Sequence, residues 1–327
     1  MRKSLAVFVI WIAATGLVVA QTPAPNDSVT VSGTKEEQAV TRFVDASVTP
    51  TRITGKTARW ETPICPAMQG IKPEDAAAML ARLTKNAAEA GVRVNGKKDC
   101  AANIEIIFTE YPQAVMDQVK ETQPGLLGYS DSSEERDRLA IVKRPIQAWY
   151  RTATQDLRGH VFVDGSGTTG AARGVTAVIP CANTSQNKQL STYNGMQIFR
   201  GVGICTREIS YAIKANTPGF ALQDGLRSQF DHISIVVDTG KVAKMKADTV
   251  TDYISMVALA QLSSLETCQG LASISNMLVA GCAQSADTLT ANDLGYLRGV
   301  YKSNPTLSAS TQKNEIGRRM LQAVAGK

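Results

Sequence analysis

The sequence predicts an α+β protein built on a mixed sheet with flanking helices. Hydrophobic residues make up 43% of the 327-residue chain and charged residues 20%, a balance typical of chains that bury a core. Strand-like and helix-like segments alternate over residues 56–145, and the next segments are mostly strand-like until the chain turns helical beyond Lys246. This order indicates one main domain over residues 56–327, with an α/β lobe followed by a β-rich and then helical lobe over residues 146–327.

The first 20 residues have the pattern of a secretory signal peptide. Arg2 and Lys3 precede an apolar run, and small residues stand at the positions expected before cleavage after Ala20. The run is shorter than the roughly 20 residues that a membrane-spanning helix needs. We therefore expect cleavage, no stable membrane anchor, and a periplasmic or secreted mature protein. Residues 21–55 are rich in Thr, Ser and Pro and are expected to form a mobile lead-in.

The α/β lobe contains two predicted helices and a buried strand. Pro73 suits the first turn of a helix, apolar residues follow it at helical spacing, and Gly91 is expected to end that helix. The apolar run at residues 103–108 indicates a buried strand, and Pro112 starts the second predicted helix.

The second lobe is expected to change from strands to helices. A short charged helix is predicted at residues 134–139, and paired strands follow it up to the apolar run at residues 233–238. A helix over residues 249–262 is apolar almost all round, which predicts a place inside the core. Thr290 and Asp293 have the spacing of a capping box at the start of a later helix.

The exported part of the chain contains all six cysteines, and an even number of cysteines in an oxidising compartment indicates disulfides. The cysteines fall into three sequential pairs along the chain. We expect these pairs to be the three disulfides, namely Cys65 with Cys100, Cys181 with Cys205, and Cys268 with Cys282.

The C-terminal third resembles that of zincin-like metallopeptidases. A core helix, a loop with the pattern S-I-x-x-M at residues 273–277, and the pattern L-T-x-x-D-x-x-x-L-R-x-x-Y at residues 289–301 follow one another. This is the order of active-site helix, methionine turn and last helix in those enzymes. More broadly, the chain is similar to an uncharacterised family of exported bacterial proteins. The shared motifs are W-x-x-P-[IV]-C-P at residues 60–66, A-W-Y at residues 148–150, and the helix at residues 252–262.

The zinc site of such peptidases is not expected here. Those enzymes bind zinc through H-E-x-x-H, whereas Ile254, Ser255 and Ala258 stand about where ligand, base and ligand would be. The chain has only two histidines and no C-x-x-C spacing, so we expect no metal and no cofactor. An ordinary core helix without peptidase ancestry is the alternative explanation of the same apolar pattern.

The function favoured by these observations is that of an exported, non-catalytic binding protein on a metallopeptidase-like scaffold without metal. Its expected ligand is an extended peptide or an anionic envelope polymer, held in a groove beside the strand at residues 233–238 with Ser255 and Ala258 as the floor. The polymer is suggested by a stretch without acidic residues that carries four cations, namely Arg173, Lys188, Arg200 and Arg207.

Two other functions remain open at the level of sequence. One is a hydrolase that acts on envelope material through Asp231, His232 and Asp238, and the other is a structural partner of an envelope assembly. A nucleic-acid partner is not expected, because the net charge of +6 is spread thinly along the chain.

Overall fold

The computed structural model describes residues 34–97, 99–165 and 225–325, together with the backbone of three short strands between the last two ranges. Over these residues the fold is a mixed sheet with flanking helices, which confirms the predicted α+β class. The domain from Thr34 onward is a single compact unit.

The described part of the chain contains eight helices and eight strands. The helices are α1 (Lys35–Ser47), α2 (Pro73–Ala90), α3 (Pro112–Thr122), α4 (Ser133–Leu139), α5 (Thr239–Val242), α6 (Ala247–Leu259), α7 (Ala291–Lys302) and α8 (Ala309–Ala325). The strands are β1 (Pro66–Gln69), β2 (Ile104–Thr109), β3 (Ile146–Gln155), β4 (Val161–Val163), β5 (Thr176–Ala177), β6 (Leu190–Tyr193), β7 (Met196–Phe199) and β8 (Arg227–Asp238). None of these helices is both long and apolar enough to cross a membrane.

The main sheet has the strand order β1-β2-β8-β3-β4-β5. Strands β1, β2 and β8 run parallel, and β3 then pairs antiparallel with β8. Only the last residues of β3, from Ala153 to Gln155, pair with β4, which pairs with β5 on its other side. Strands β6 and β7 form a separate antiparallel pair. The longest strands, β3 and β8, therefore lie side by side in the interior of the sheet.

The two faces of the sheet are covered by different helices. On one face, which we call the core face, Ile104, Ile106, Ile233 and Ile235 pack in one cluster with apolar residues of α1, α2, α6, α7 and α8. On the second face, a smaller cluster joins the sheet to α3 and to the 3-10 turn at Pro124–Leu127; its members are Ile107, Val115, Met116, Leu127, Ala140, Trp149 and Val236. Burial on both faces explains why residues 233–237, in the C-terminal half of β8, are almost all apolar.

The main domain begins earlier than residue 56, so the predicted extent of the mobile lead-in is wrong. Helix α1 lies within residues 21–55, starts with a capping box at Thr34, and buries Val40, Phe43 and Val44 in the main core. Phe43 meets Tyr296 of α7 edge-on, with ring centroids 5.8 Å apart. The polar face of this amphipathic helix obscures its apolar stripe in the sequence. The predicted signal peptide lies outside the described residues.

Local signals place four helix ends correctly and one incorrectly. Pro73 begins α2, Gly91 ends it with a φ of 88°, Pro112 begins α3, and Thr290 forms the predicted capping box of α7. Helix α6, however, begins at Ala247 rather than near Thr249. Asp252 therefore lies inside the helix rather than in its first turn, and its carboxylate accepts hydrogen bonds from Arg82 of α2.

Two of the three predicted disulfides are confirmed, Cys65–Cys100 and Cys268–Cys282. The first joins the chain just before β1 to the chain just before β2, across the whole of α2. The predicted pair Cys181–Cys205 lies outside the described residues.

Peptide mapping of the unreduced mature protein is expected to show three sequential disulfides and no free thiol. The expectation for the third pair follows from the even cysteine count in an oxidising compartment. Mass spectrometry after alkylation without reductant measures it. Labelling of Cys181 and Cys205 in the folded protein would contradict the third pair and leave the other two intact.

Candidate functional site

The two residues predicted to floor a groove, Ser255 and Ala258, are both fully buried. The Ser255 hydroxyl donates to the Thr251 carbonyl over 2.8 Å and lies 3.0 Å from the Asn86 amide nitrogen, which donates to it. The Ala258 carbonyl accepts a hydrogen bond from the Trp60 indole nitrogen at 2.8 Å. The predicted groove floor is therefore wrong. Helix α6 is buried from Thr249 to Leu259, as the apolar residues around its middle lead one to expect.

The strand predicted to border that groove has no free edge. Over residues 233–238, β8 pairs with β2 on one side and with β3 on the other. An added strand needs unpaired N–H and C=O groups, and a central strand has none to offer. An extended ligand therefore has no place along β8.

Strand β3 has the unpaired edge that β8 lacks. Its N-terminal half, residues 146–150, has no strand partner on the side away from β8 within the described parts of the chain. The Asp238 amide donates to the Pro145 carbonyl, so these two residues form a hydrogen-bonded pair. In an antiparallel ladder, hydrogen-bonded pairs alternate with pairs whose N–H and C=O groups point away from each other. The N–H and C=O groups of Ile146, Ala148 and Tyr150 therefore point away from β8. We call residues 146–150 the β3 edge.

The accessible part of the β3 edge is short and centred on Ala148. Ile146 is buried, whereas Ala148 and Tyr150 are half-buried. A Cβ on Gly128 would approach the Tyr150 carbonyl oxygen to 2.6 Å, so the backbone at Gly128 already lies against that carbonyl. We therefore take the N–H and C=O of Ala148 and the N–H of Tyr150 as the groups of this edge that could meet a ligand.

Side chains on both faces fix the β3 edge to the rest of the domain. The Tyr150 hydroxyl donates to the carbonyl of Val257 on α6 at 2.8 Å, and burial raises the pKa of this phenol. On the second face, the Trp149 indole nitrogen donates to the Leu139 carbonyl at 2.6 Å. A ligand on this edge would therefore meet a strand that is already ordered, which limits the entropic cost of binding.

A second polar feature lies further along the sheet, at a β-bulge in β8. Arg151 pairs with His232 and Thr152 with Phe230, so Asp231 is the extra residue of the bulge. The Asp231 carboxylate forms an ion pair with the Arg151 guanidinium. We call Glu105, Arg151, Asp231 and His232 the bulge cluster. The structure thus brings together two of the three residues predicted for a hydrolase site.

The third predicted residue, Asp238, is the last residue of β8, whereas Asp231 and His232 lie near the middle of that strand. Six residues separate it from His232, which corresponds to about 20 Å along an extended strand. Its carboxylate accepts a hydrogen bond from the Lys241 amide at 3.1 Å and begins the short helix α5. Asp231, His232 and Asp238 therefore do not form one site.

Burial gives His232 and Glu105 unusual titration behaviour. His232 is 8% exposed, and its Nε2 lies 3.7 Å from a Glu105 carboxylate oxygen. Desolvation, assisted by the positive charge of Arg151, lowers the pKa of His232 to about 3. Desolvation raises the pKa of Glu105, and Arg151 opposes this shift only in part. At neutral pH the imidazole is therefore uncharged and poorly placed to pair with the carboxylate.

The neutral, buried His232 predicts a loss of stability in mild acid. The unfolded chain binds a proton on this residue below about pH 6.5, and the folded chain resists it down to about pH 3. His232 should therefore lower the free energy of unfolding by about 2–3 kcal/mol between pH 7 and pH 4.5. Urea unfolding at the two pH values measures this loss, and His232→Gln should abolish it.

The other histidine provides the matched control for this experiment. The His160 side chain is 62% exposed and pairs with Asp156 at the surface, so His160→Gln is expected to change the difference between the two pH values far less than His232→Gln does. The raised pKa of Glu105 favours the folded state in acid and so opposes the effect of His232 on stability. Glu105 is present in the wild type and in both variants, so its effect cancels in the comparison. An equal loss of stability in wild type and His232→Gln would show that His232 is not responsible.

Two members of the bulge cluster, Glu105 and Arg151, were not predicted as site residues. The signal for Glu105 is a charged residue inside the apolar strand at residues 103–108, which is unusual for a buried strand. The sequence around Arg151 gives no such signal, because polar and apolar residues are mixed along β3. Within the ranges that the structure describes, no three His, Cys, Asp or Glu side chains are arranged to hold a metal ion.

The geometry of the described residues defines an α+β domain with an unpaired strand edge and a partly buried charge cluster on its second face. Comparisons with protein-family models, with curated proteins and with solved structures find no match to this chain. The function is therefore inferred from the β3 edge and the bulge cluster themselves.

Proposed function

We propose that the protein is an exported, non-catalytic binding protein that holds an extended peptide against the β3 edge. The single observation that carries this proposal is the outward direction of the Ala148 N–H and C=O groups, in a part of β3 that has no second strand partner among the described residues. The proposal keeps the metallopeptidase-like scaffold, which rests on the sequence resemblance of residues 246–304 alone. The bound chain lies beside β3 rather than β8.

A peptide fits this edge better than a polysaccharide does. The edge offers donors and acceptors at alternate residues, with the spacing of a polypeptide in a β-ladder. Only about three hydrogen bonds are available, and neither a charge nor a metal of the described residues stands at the edge as an anchor. We therefore expect affinities no better than micromolar.

Export is part of the proposal and has two lines of support. The N-terminal 20 residues have the pattern of a signal peptide, and disulfides such as Cys65–Cys100 persist mainly in oxidising compartments. A periplasmic or secreted location would also expose the β3 edge to peptides of the cell envelope.

The alternatives have less support. The four cations that suggested an anionic polymer lie outside the described residues. A hydrolase through Asp231, His232 and Asp238 is not favoured, because Asp238 is remote from the other two. A structural role in an envelope assembly would be favoured if the mature protein binds no free peptide.

Replacing Ala148 by proline is expected to abolish peptide binding while the fold is kept. Proline removes the one N–H that points outward at the centre of the edge, and no hydrogen bond to β8 is lost, because that N–H does not face β8. The probe is a set of fluorescein-labelled decapeptides selected on the wild-type protein from a random library. Fluorescence anisotropy should show at least a tenfold loss of affinity, about 1.4 kcal/mol.

Ala148→Ser is the matched control, because serine keeps the backbone N–H and a small side chain. It should bind the same decapeptides within about twofold of wild type. Circular dichroism and urea unfolding verify that both variants are folded. Full binding by a folded Ala148→Pro protein, or failure of the library to yield any binder, would reject the β3 edge as the site.

A further inference from the structure

The bulge cluster holds more negative than positive charge. Its two carboxylates, Glu105 and Asp231, face a single guanidinium, that of Arg151, and the Arg151 Nε is already engaged by Asp231. The Glu105 carboxylate has only the His232 imidazole, at 3.7 Å, within ion-pair reach among the described residues. The nearest further carboxyl group, Asp164, accepts hydrogen bonds from Thr152 and Thr154 and adds to the negative potential felt at Asp231.

The His232 side chain provides a second observation, which is independent of the charges: one of its nitrogen atoms is buried without a hydrogen-bond partner among the described residues. Its Nε2 is buried and has no hydrogen-bond partner in the described structure, although it points toward Glu105. A buried polar atom left without a partner costs about 1–3 kcal/mol, so native proteins usually satisfy such atoms. The Glu105 and Asp231 side chains are each 17% exposed, so the cluster is reachable from solvent.

From these two observations we propose that the bulge cluster is a binding site for a primary ammonium group. An ammonium carries the missing positive charge and three N–H donors on one compact atom. One N–H would donate to a Glu105 carboxylate oxygen and another to His232 Nε2, which accepts as the bare nitrogen of a neutral imidazole. This site is separate from the β3 edge and does not rest on the proposed function.

Other cations match the cluster less well. A guanidinium is planar and wide, and its five donors exceed the two acceptors that lack partners here. Sodium and potassium ions would satisfy the charge, but as hard cations they favour oxygen ligands and would leave His232 Nε2 unused. A quaternary ammonium supplies the charge without any N–H donor. The N–H groups therefore distinguish the proposed ligand from a general cation.

The experiment uses the side-chain nitrogen signals of the two histidines in the 15N-labelled full-length mature protein. At pH 7.5 and constant ionic strength, propylammonium chloride should shift the His232 signals along a saturable curve with a midpoint in the millimolar range. The exposed His160 is an internal reference and should not move in the same way. Nα-acetyl-lysine methylamide and glycinamide, as further probes, distinguish a lysine side chain from a chain N-terminus as the natural source.

Tetramethylammonium chloride and sodium chloride are the controls that need no variant, and neither should produce a saturable shift of His232. Glu105→Gln should weaken propylammonium binding at least tenfold, whereas Glu110→Gln, at an exposed position just beyond β2, should not change it. A shift of equal size with tetramethylammonium would overturn the proposal, and so would the absence of saturation with every primary ammonium probe. Undiminished binding by a folded Glu105→Gln protein would also overturn it. None of these outcomes alters the test of the β3 edge.

Discussion

Replacing Asp252 by alanine is expected to lower the free energy of unfolding by about 3–5 kcal/mol. Asp252 on α6 is 1% exposed, and its carboxylate accepts two hydrogen bonds from Arg82 at 2.7 and 2.8 Å. It also accepts from the Asn86 amide at 2.8 Å and from the Leu289 backbone N–H at 3.0 Å. One carboxylate therefore joins α2, α6 and the chain before α7, and its removal leaves several donors without a partner.

Asp248 is the matched control for Asp252, because it contacts the same arginine from an exposed position. Its carboxylate lies 3.2 Å from Arg82, but the side chain is 71% exposed. Asp248→Ala is therefore expected to cost less than about 1 kcal/mol. Urea unfolding of both variants measures the difference. Equal losses would mean that the contacts of Asp252 with Asn86 and Leu289 contribute little.

Replacing Gly70 by alanine is expected to cost more than about 3 kcal/mol. Gly70 follows β1 with a φ of 84°, and a Cβ built there would lie 1.9 Å from the Phe108 carbonyl oxygen. That oxygen belongs to the backbone of β2, so relief of the clash requires movement of a strand rather than of a side chain. The substitution should disturb the pairing of β1 with β2.

Gly91 separates the cost of backbone conformation from the cost of the clash. Its φ of 88° is nearly the same, but no atom lies within 4 Å of a Cβ built there. Gly91→Ala should therefore cost about 1–2 kcal/mol, the penalty of a left-handed conformation alone. Thermal unfolding of the two variants provides the measurement. Similar losses at both positions would contradict the close approach at Gly70.

Local sequence signals predicted the parts of the fold that depend on neighbouring residues. The ends of α2 follow from Pro73 and Gly91, and the start of α7 follows from the capping box at Thr290. The two confirmed disulfides follow from the sequential order of the cysteines. Residues 36–44 of α1 have an amphipathic pattern in the sequence, but this stretch is short and set in a tract rich in Thr, Ser and Pro, so the sequence did not place the helix in the domain.

The candidate site depends on strand order, which local patterns do not contain. Nothing in the run at residues 233–238 indicates that β8 is central and that β3 has the unpaired edge. Asp231 and His232 were predicted together because they are neighbours in sequence, but their partners Glu105 and Arg151 come from two other strands. Ser255 and Ala258 were placed in a groove by resemblance alone, whereas packing against Asn86 and Trp60 encloses them.

Hydrogen exchange at the Ala148 amide tests the binding account most directly. In the free protein this N–H faces away from β8, whereas the Trp149 N–H is paired with β8. The Ala148 amide should therefore exchange faster than that of Trp149, by on the order of 100-fold. Saturation with a selected decapeptide should slow exchange at Ala148 and leave Trp149 unchanged. An Ala148 amide as protected as Trp149 without peptide, or unprotected with the peptide bound, would contradict the proposal that the β3 edge binds an extended chain.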